Sequence, residues 1–370
     1  MKSSSGHHFV ALDHIRALAA LLVFTWHFIH AGRSGYPVPH EAFVSVFAFP
    51  LAIFDEGHVG VALFMTLSGY LFAKILDGKS IDYGSFLWNR FLRLAPLLVL
   101  VIAVVGLQRS LEGESIWTFM TTMMTGIVMP VWPNGGWSIT VELHFYFSLP
   151  FLLFLIRRVW WAALLLVCVA IALRISIYIQ SGEVQPAAYW TIIGRIDQFV
   201  LGMLAFHARL HLAGHHFRAI SAITLFLVFY WGFSYAGGFH GMPSYPSPSA
   251  IWIILPTIEG LACAIAIAWY DGSFTPSRTG VSGLIGHVGQ CSYSIYLLHV
   301  FVVYEAAWLV NERVMDISTL YPALGWAFLC FVALLPVAML SFRFVERPFL
   351  LLRRNYVGVP DQPITSKVFS

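Results

Sequence analysis

The sequence predicts an all-α membrane protein, a bundle of about ten transmembrane helices with both termini in the cytoplasm. Of its 370 residues, 59% are hydrophobic and only 11% are charged, whereas a soluble domain carries about 25% charged residues. Apolar runs of 18 or more residues recur from residue 9 to residue 344, and such a run can cross a bilayer as a helix. These features exclude a soluble globule and a disulfide scaffold. The net charge of +3 is too small to indicate a nucleic-acid partner.

Ten apolar segments, bounded by polar residues, glycine or proline, are the predicted spans. They cover residues 9–31, 58–76, 94–108, 137–156, 159–179, 191–207, 218–236, 249–269, 289–310 and 322–344. The third is short, and we expect it to begin at Pro96, because proline is tolerated in a first helical turn. Segments 43–54 and 116–132 are apolar but interrupted, which indicates re-entrant or interfacial pieces.

Basic residues predict the orientation of the bundle. With the N-terminus inside, the inner segments hold fifteen Lys and Arg residues and the outer segments and helix ends hold five. The first span is expected to be retained, because it is too long for a signal peptide and contains Asp13 and Arg16. We expect one membrane domain over residues 1–355 and a mobile polar tail over 356–370. No Cys or His spacing indicates a metal site.

Three ionisable residues lie in the first span, where such groups are rare and usually functional. Eleven steps separate Arg16 from His27, which at 100° per residue is close to three full turns, and Asp13 lies near the same face. Ala20 is expected to leave the face open between them. The rise from Arg16 to His27 is ~16 Å, comparable to a pantetheine arm. Alternatively, neighbouring helices satisfy a packed polar stripe.

Seven segments in order resemble the acyltransferase 3 family of membrane acyltransferases. They are LDHIRALAALLVFTWHF (12–28), VGVALFMTLSGYLFAKIL (59–76), NRFLRLAPL (89–97), WSITVELHFYFSLPF (137–151), RIDQFVLGMLAF (195–206), CSYSIYLLH (291–299) and FVERPFL (344–350). The resemblance covers residues 9–350, nearly the whole chain. Two departures concern Ala17, where the family usually has glycine, and Leu143, where a second acid usually follows Glu142. No hydrolase-like domain, which some relatives carry, is expected after the bundle.

The resemblance implies acyl transfer, by default acetyl transfer, from cytoplasmic acyl-CoA to a hydroxyl of a saccharide or other polyol. It also implies an integral protein of the bacterial plasma membrane, with acetyl-CoA as co-substrate. Hydroxyl attack on a thioester needs a base that titrates near neutral pH, for which histidine is the usual choice. His27 is therefore the expected general base. Arg16 could contact the donor, and Asp13 could orient Arg16.

Arg90 and Arg93 are three residues apart just before the predicted third span. This spacing places both guanidinium groups on one side of a helix, where they could bind the phosphates of CoA. The alternative is that they anchor the helix at the cytoplasmic surface, as basic residues do in any membrane protein. The match to the family motif favours the donor site.

Glu142 lies about one turn into the fourth span, with Tyr146 four residues later on the same face. Glu142 could position His27, steady an acceptor hydroxyl, or pair with Arg195 in a structural ion pair. His144 points to another side of the helix, and no role is expected for it.

Further candidates are Arg195, His299 and Ser68. Arg195 and Asp197 could join Arg174 in an outer cluster that receives the acceptor, or in a purely structural network. His299 is expected midway along the ninth span, either in the site or as a buried hydrogen-bonded histidine. Ser68 and the following glycine indicate a close helix approach.

A different class of function is also compatible with ten spans and buried charges, namely a transporter of a polar solute. Such proteins often contain inverted repeats with broken helices at matching positions, and the sequence shows no repeat. The acceptor stays open among O-antigen, capsule, exopolysaccharide, peptidoglycan, nodulation oligosaccharide and macrolide. Direct transfer and an acyl-enzyme route, and the oligomeric state, are not distinguished by the sequence.

Overall fold

The computed structural model describes residues 9–38, 49–241 and 244–360. These ranges form a helix bundle with one small sheet. The helices are α1 (Val10–Ile29), α2 (Ala52–Asp55), α3 (Val59–Leu76), α4 (Tyr83–Leu111), α5 (Ile116–Met124), α6 (Trp137–Arg158), α7 (Trp160–Ser181), α8 (Gln185–Trp190), α9 (Ile192–Leu212), α10 (His216–Tyr235), α11 (Gly238–Gly241), α12 (Leu255–Ser273), α13 (Gly280–Gln290), α14 (Ser292–Leu298), α15 (Val303–Arg313), α16 (Leu320–Ser341) and α17 (Arg347–Leu350). Strands β1 (Lys79–Ile81) and β2 (Val357–Pro360) pair antiparallel.

The all-α membrane fold is confirmed. Among the described residues, seven helices are long and apolar enough to cross a membrane, or eight if the bent helix pair near the C-terminus counts as one span. The other two predicted spans correspond to α9 and α12, whose apolar character is reduced by the buried polar residues Arg195, Asp197 and Glu259. The predicted number of ten spans and the cytoplasmic termini remain predictions. The chain is an integral membrane protein.

The third predicted span begins much earlier than expected. Helix α4 begins at Tyr83, where the Asp82 side chain caps it by accepting a hydrogen bond from the Ser85 N–H at 3.2 Å. Pro96 therefore lies inside the helix rather than in its first turn, and the prediction of its role was wrong. Arg90 and Arg93 also belong to α4, on a face of the helix that borders a cavity within the protein.

The ninth predicted span is broken into pieces. Helix α14 ends in a tight 3-10 turn, His299–Phe301, before α15 begins. The two halves, Ser292–Phe301 and Val303–Arg313, meet at 55°. His299 thus lies at the break and not midway along a continuous helix.

A close crossing of α3 and α9 fixes the centre of the bundle. A Cβ atom on Gly69 would lie 2.0 Å from the Phe199 carbonyl oxygen, and one on Gly202 would lie 2.0 Å from the Thr66 carbonyl oxygen. Only glycine permits such an approach of the two backbones. The close helix approach expected at Ser68 and Gly69 is confirmed.

Helix α1 lies between two apolar cores. Leu12, Ala19 and Val23 pack into a core built mainly from α3, α4, α6, α9 and α12, while Ala20 and Phe24 pack into a second core with α14, α15 and α16. Ala20 is only 2% exposed. The expectation that it leaves the face open was wrong, because the second core covers it.

The C-terminal part of the chain stays ordered past the predicted boundary at residue 355. Tyr356 is 1% exposed, and β2 pairs with β1, with Lys79 opposite Pro360 and Ile81 opposite Val357. The rest of the predicted tail, 361–370, lies outside the described residues. So does the first half of the apolar segment 43–54, whose last residues belong to α2.

Candidate active site

A cavity of about 560 Å³ opens between α1, α3, α4, α6, α14 and the C-terminal segment. We call it the arginine cavity, because five guanidinium groups line it. These belong to Arg16, Arg90, Arg93, Arg347 and Arg353. Two carboxylates also line it, those of Asp13 and Glu142, so its side chains leave an excess of positive charge.

The first pair in this cavity comes from α1. Asp13 and Arg16 are three residues apart, and their side chains form an ion pair of 2.5 Å. The Asp13 side chain is nearly buried, whereas the Arg16 side chain is 23% exposed and reaches into the cavity. Asp13 therefore fixes the direction of Arg16, as the sequence suggested.

Helix α6 supplies Glu142 and Tyr146. Tyr146 donates its hydroxyl proton to Glu142 Oε1, and Ser68 Oγ lies 3.5 Å from the same oxygen. Pro150 has no N–H for the Tyr146 carbonyl, and the Tyr83 hydroxyl donates to that oxygen instead at 3.1 Å. Both Glu142 and Tyr146 border the arginine cavity.

Arg90 and Arg93 lie on the face of α4 that borders the same cavity. The Arg90 guanidinium packs over the ring of Phe72 at 5.1 Å and that of Phe86 at 5.5 Å. Arg93 Nη1 lies 4.0 Å from an oxygen of Glu346, which is fully buried. The structure therefore places both candidate arginines where a ligand in the cavity can reach them.

Arg347 and Arg353 were missed as site residues. Arg347 lies within the closing motif at 344–350 and Arg353 follows it, and in the sequence they contributed only to the charge count that predicts the orientation. The signal available for Arg347 was its place in that motif. What the sequence did not show is that β2 returns the chain to β1 and thereby places Arg353 over α4.

A second cavity of about 270 Å³ lies farther along α1, and we call it the histidine cavity. His27, His30, His240 and His299 line it. So do many aromatic side chains, namely Trp26, Trp137, Tyr189, Trp190, Phe239, Tyr245, Tyr296 and Tyr304. Among these, the rings of Trp26 and His240 stack nearly parallel, with an interplanar angle of 7°.

The hydrogen bonds of His27 determine its tautomer. Its Nδ1 lies 2.9 Å from the Val23 carbonyl oxygen, and because a carbonyl only accepts, Nδ1 carries the proton. Nε2 of the neutral ring then holds a lone pair, and the described residues offer it no hydrogen-bond donor. A lone pair aimed at a cavity is what a general base needs.

His299 contacts His27 directly. Its Nδ1 lies 2.6 Å from the Tyr296 carbonyl oxygen, and its Nε2 lies 3.3 Å from His27 Nδ1. By the same logic its Nδ1 is protonated and its Nε2 accepts from the His27 Nδ1–H. His299 is 1% exposed, and its ring supports His27 from within the protein.

The two cavities meet at a shared wall. Val61 on α3 and Tyr296 on α14 line both of them, whereas Ala20 lines neither. Tyr296 is held there by its hydroxyl, which donates to the Gly135 carbonyl at 2.9 Å. Val61 and Tyr296, rather than Ala20, thus lie between the cavity of Arg16 and the cavity of His27.

Arg195 belongs to a buried polar network behind the histidine cavity. It pairs with Glu259 at 3.2 Å, and Arg174 pairs with Asp197 at 2.8 Å. Glu142 does not take part in it, so the suggested pairing of Glu142 with Arg195 was wrong. The Arg195 guanidinium stacks 4.4 Å over the ring of Tyr189, and Arg195 therefore supports the cavity wall without lining the cavity.

Asp55 places a buried carboxyl group beside His30. Its Oδ1 lies 3.6 Å from His30 Nε2, and Ser234 donates to its Oδ2 at 2.9 Å. Burial, together with the neighbouring Glu56 charge, raises the pKa of Asp55 to about 7. In the described part of the chain, no group of three or more His, Cys, Asp and Glu side chains could hold a metal ion.

Comparison with known proteins identifies one family over nearly the whole chain. The model of the acyltransferase 3 family, described as an acyltransferase domain, matches residues 9–343. No solved structure matches the chain.

Three curated relatives are similar over most of this chain. The peptidoglycan O-acetyltransferase OatA of Listeria monocytogenes is 25% identical over 93% of this chain and 56% of its own length. Acyltransferase MdmB of Streptomyces mycarofaciens is 24% identical over 79% of this chain and 78% of its own length. The exopolysaccharide production protein ExoZ of Rhizobium meliloti is 25% identical over 82% and 92%, respectively. The chain thus spans little more than half the length of the Listeria protein.

Proposed function

Since this chain belongs to the acyltransferase 3 family and is a membrane acyltransferase, we propose that it transfers an acetyl group from cytoplasmic acetyl-CoA to a hydroxyl of a saccharide or other polyol. The observation that carries this proposal is the meeting of two unlike cavities at Val61 and Tyr296. One is suited to a phosphate-bearing donor, and the other is suited to a sugar ring and a proton transfer.

The donor is assigned to the arginine cavity on grounds of charge. Five arginines face two carboxylates there, and guanidinium groups bind phosphate through paired hydrogen bonds. Arg90 and Arg93 come first as ligands of the donor phosphates. Arg16, held by Asp13, lies on the way to His27 and would contact the donor along its arm.

The acceptor is assigned to the histidine cavity on grounds of shape and surface. Aromatic side chains with a few polar groups are the usual lining of sites for small polar molecules with apolar faces. The names of two relatives refer to peptidoglycan O-acetylation and exopolysaccharide production, and both products are saccharides. An exported or cell-surface glycan at a bacterial plasma membrane fits this pattern.

The chemical step uses His27 as general base. As the acceptor oxygen attacks the thioester carbonyl carbon, the hydroxyl proton moves to His27 Nε2. The carbon–sulfur bond then breaks, and the CoA thiolate takes that proton from the imidazolium. Glu142, held by Tyr146 and Ser68, lies on the donor side and would position the thioester arm. General-base catalysis of this kind contributes ~10²–10⁴-fold.

The test is release of CoA thiol by the purified full-length protein in the presence of acetyl-CoA. We expect release that depends on added saccharide acceptor and that is lost in His27→Gln. His144→Gln is the matched control, because His144 bonds the Ile127 carbonyl and lines neither cavity. Absence of acetyl-CoA turnover with every glycan acceptor tried, together with solute uptake into vesicles, would favour the transporter instead.

A further inference from the structure

The segment after α17 forms one wall of the arginine cavity. Leu351, Arg353 and Tyr356 line it. The Asn89 side chain binds the backbone of Arg354 on both sides, donating to its carbonyl at 2.7 Å and accepting from its N–H at 2.9 Å. Because Asn89 lies on α4 directly before Arg90, these bonds fix the segment against the helix that carries the two candidate phosphate ligands.

A second anchor lies a few residues later. The ring of Tyr356 packs edge-on against Phe86 of α4, with centroids 5.6 Å apart, and β2 pairs with β1. Arg353 is thus held between the bonds to Asn89 and this aromatic contact. Its position over the cavity follows from the fold and not from a flexible end.

The guanidinium groups in this corner outnumber the carboxylates beside them. Burial, together with repulsion from Arg90 and Arg93, lowers the pKa of Arg353 to about 9. Buried Nε atoms of Arg90 and Arg353 have no hydrogen-bond partner among the described residues. Such groups are normally satisfied in a native protein, so this corner holds donors and positive charge that the described residues leave unmatched.

The nearby carboxylates are too few to balance these guanidinium groups. Asp13 is engaged by Arg16, and Glu142 accepts from Tyr146 and Ser68. Glu346 is the remaining acid, with one oxygen bound by Ser294 and the other 4.0 Å from Arg93. One buried carboxylate does not balance the guanidinium groups of Arg90, Arg93 and Arg353.

We infer that Arg353 joins Arg90 and Arg93 in a three-arginine site that binds a phosphate group of the acyl-CoA nucleotide. This inference rests on the proposed function, since it takes acyl-CoA as the donor. The C-terminal segment is then part of the donor site, and Asn89 is a positioning residue that holds it there. A headgroup of an anionic lipid has the same phosphate chemistry, and the experiment separates the two sources.

The experiment measures CoA affinity of the full-length protein in nanodiscs of phosphatidylcholine, which carry no net negative charge. Arg353→Gln should raise the Kd for CoA by about tenfold or more, as expected for a lost charge-assisted phosphate contact. Arg353→Lys should recover part of the affinity. Arg354→Gln is the matched control and should stay within about twofold, because its exposed side chain does not line the cavity.

Turnover of S-acetylpantetheine, which lacks the nucleotide, separates binding from folding. Arg353→Gln should turn it over like the wild type, and a loss with this substrate would mean a structural role and overturn the inference. CoA binding to the wild type but equally to Arg353→Gln would overturn this inference alone. If Arg353→Gln loses only a stabilisation by phosphatidylglycerol, the ligand is a lipid headgroup and the inference is wrong. A wild type that binds no CoA would overturn the proposed donor as well.

Discussion

The two cavities differ in the charged side chains that surround them. In the arginine cavity, five guanidinium groups face the open space and only two carboxylates accompany them. In the histidine cavity, acids such as Asp55 and Glu259 stand behind the wall and are paired there with His30 and Arg195. The first cavity therefore offers five guanidinium groups to a ligand, while the second offers only that of Arg33, beside aromatic faces and an imidazole lone pair. In the proposed reaction, this difference divides donor binding from proton transfer.

The largest effect is expected from a substitution of His27, which should reduce turnover without weakening CoA binding. His27→Gln keeps a hydrogen-bonding side chain but no group that accepts a proton at neutral pH. We expect turnover to fall ~10²–10⁴-fold, with CoA affinity within a few-fold of the wild type, because His27 does not line the arginine cavity. Turnover assays and binding to the same preparation check this. Near-normal turnover would remove the general-base role from His27.

The converse experiment acts on the arginine cavity. Changing both Arg90 and Arg93 to Ala should raise the acetyl-CoA KM by about tenfold to a hundredfold, because two phosphate contacts are lost, and should leave the acceptor KM nearly unchanged. Changing both to Lys should recover part of the loss, since a point charge attracts phosphate but loses the paired geometry. Steady-state kinetics with each substrate varied in turn give both constants. An unchanged donor KM would leave these arginines only a role in anchoring α4.

A smaller effect is expected at His299, which acts on the reaction only through His27. His299→Leu removes the acceptor from the His27 Nδ1–H, while the Val23 carbonyl still holds it. We expect kcat to fall about tenfold, with a changed pH profile and unchanged donor KM. His299→Gln should restore part of kcat through its side-chain oxygen. Equal losses in the two variants, with the wild-type pH profile, would argue for a role in packing alone.

The smallest effect is expected at Asp55, whose buried carboxyl group lies behind the histidine cavity. The pKa of Asp55 is about 7 in the folded protein against 3.8 for an ordinary aspartate. The folded state thus keeps a proton that the unfolded state releases, and stability falls as the pH rises from about 4 to about 7. Asp55→Asn removes this loss of stability, because the asparagine side chain does not titrate.

Thermal unfolding in nanodiscs at several pH values tests the role of Asp55. Relative to the wild type, Asp55→Asn should gain a few degrees at pH 8, on the order of the shift that a kcal/mol produces, and almost nothing at pH 4. Asp77→Asn, at an exposed position, should show no such trend. A difference between Asp55→Asn and wild type that does not change with pH would contradict the assignment.

The sequence predicted the elements of this fold better than their ends. Apolar runs locate the helices because the lipid demands them. The start of α4 is harder to predict, because Ser85, Asn89, Arg90 and Arg93 interrupt the apolar residues between Tyr83 and Arg93. The break at His299 likewise arises from tertiary packing, since the surrounding residues are apolar on both sides of it.

The candidate site was predictable where its residues share one helix. Helical periodicity brings Asp13 to Arg16 and places His27 three turns away. It does not reveal contacts between distant parts of the chain, such as His299 with His27 or Arg354 with Asn89 of α4. Nor does it show that Ala20 is covered by the second core. Those features depend on how the helices pack, which one sequence does not encode as a local pattern.

The proposed reaction depends on sidedness, because its cytoplasmic donor and its exported acceptor would reach His27 from opposite faces of the membrane. Lys79 begins β1, which holds the C-terminal wall of the arginine cavity, and Gly238 directly precedes Phe239 in the wall of the histidine cavity. Topology reporters fused after Lys79 and after Gly238 measure the two faces directly. We expect a cytoplasmic signal after Lys79 and an external signal after Gly238. The same side for both would contradict the proposed sidedness.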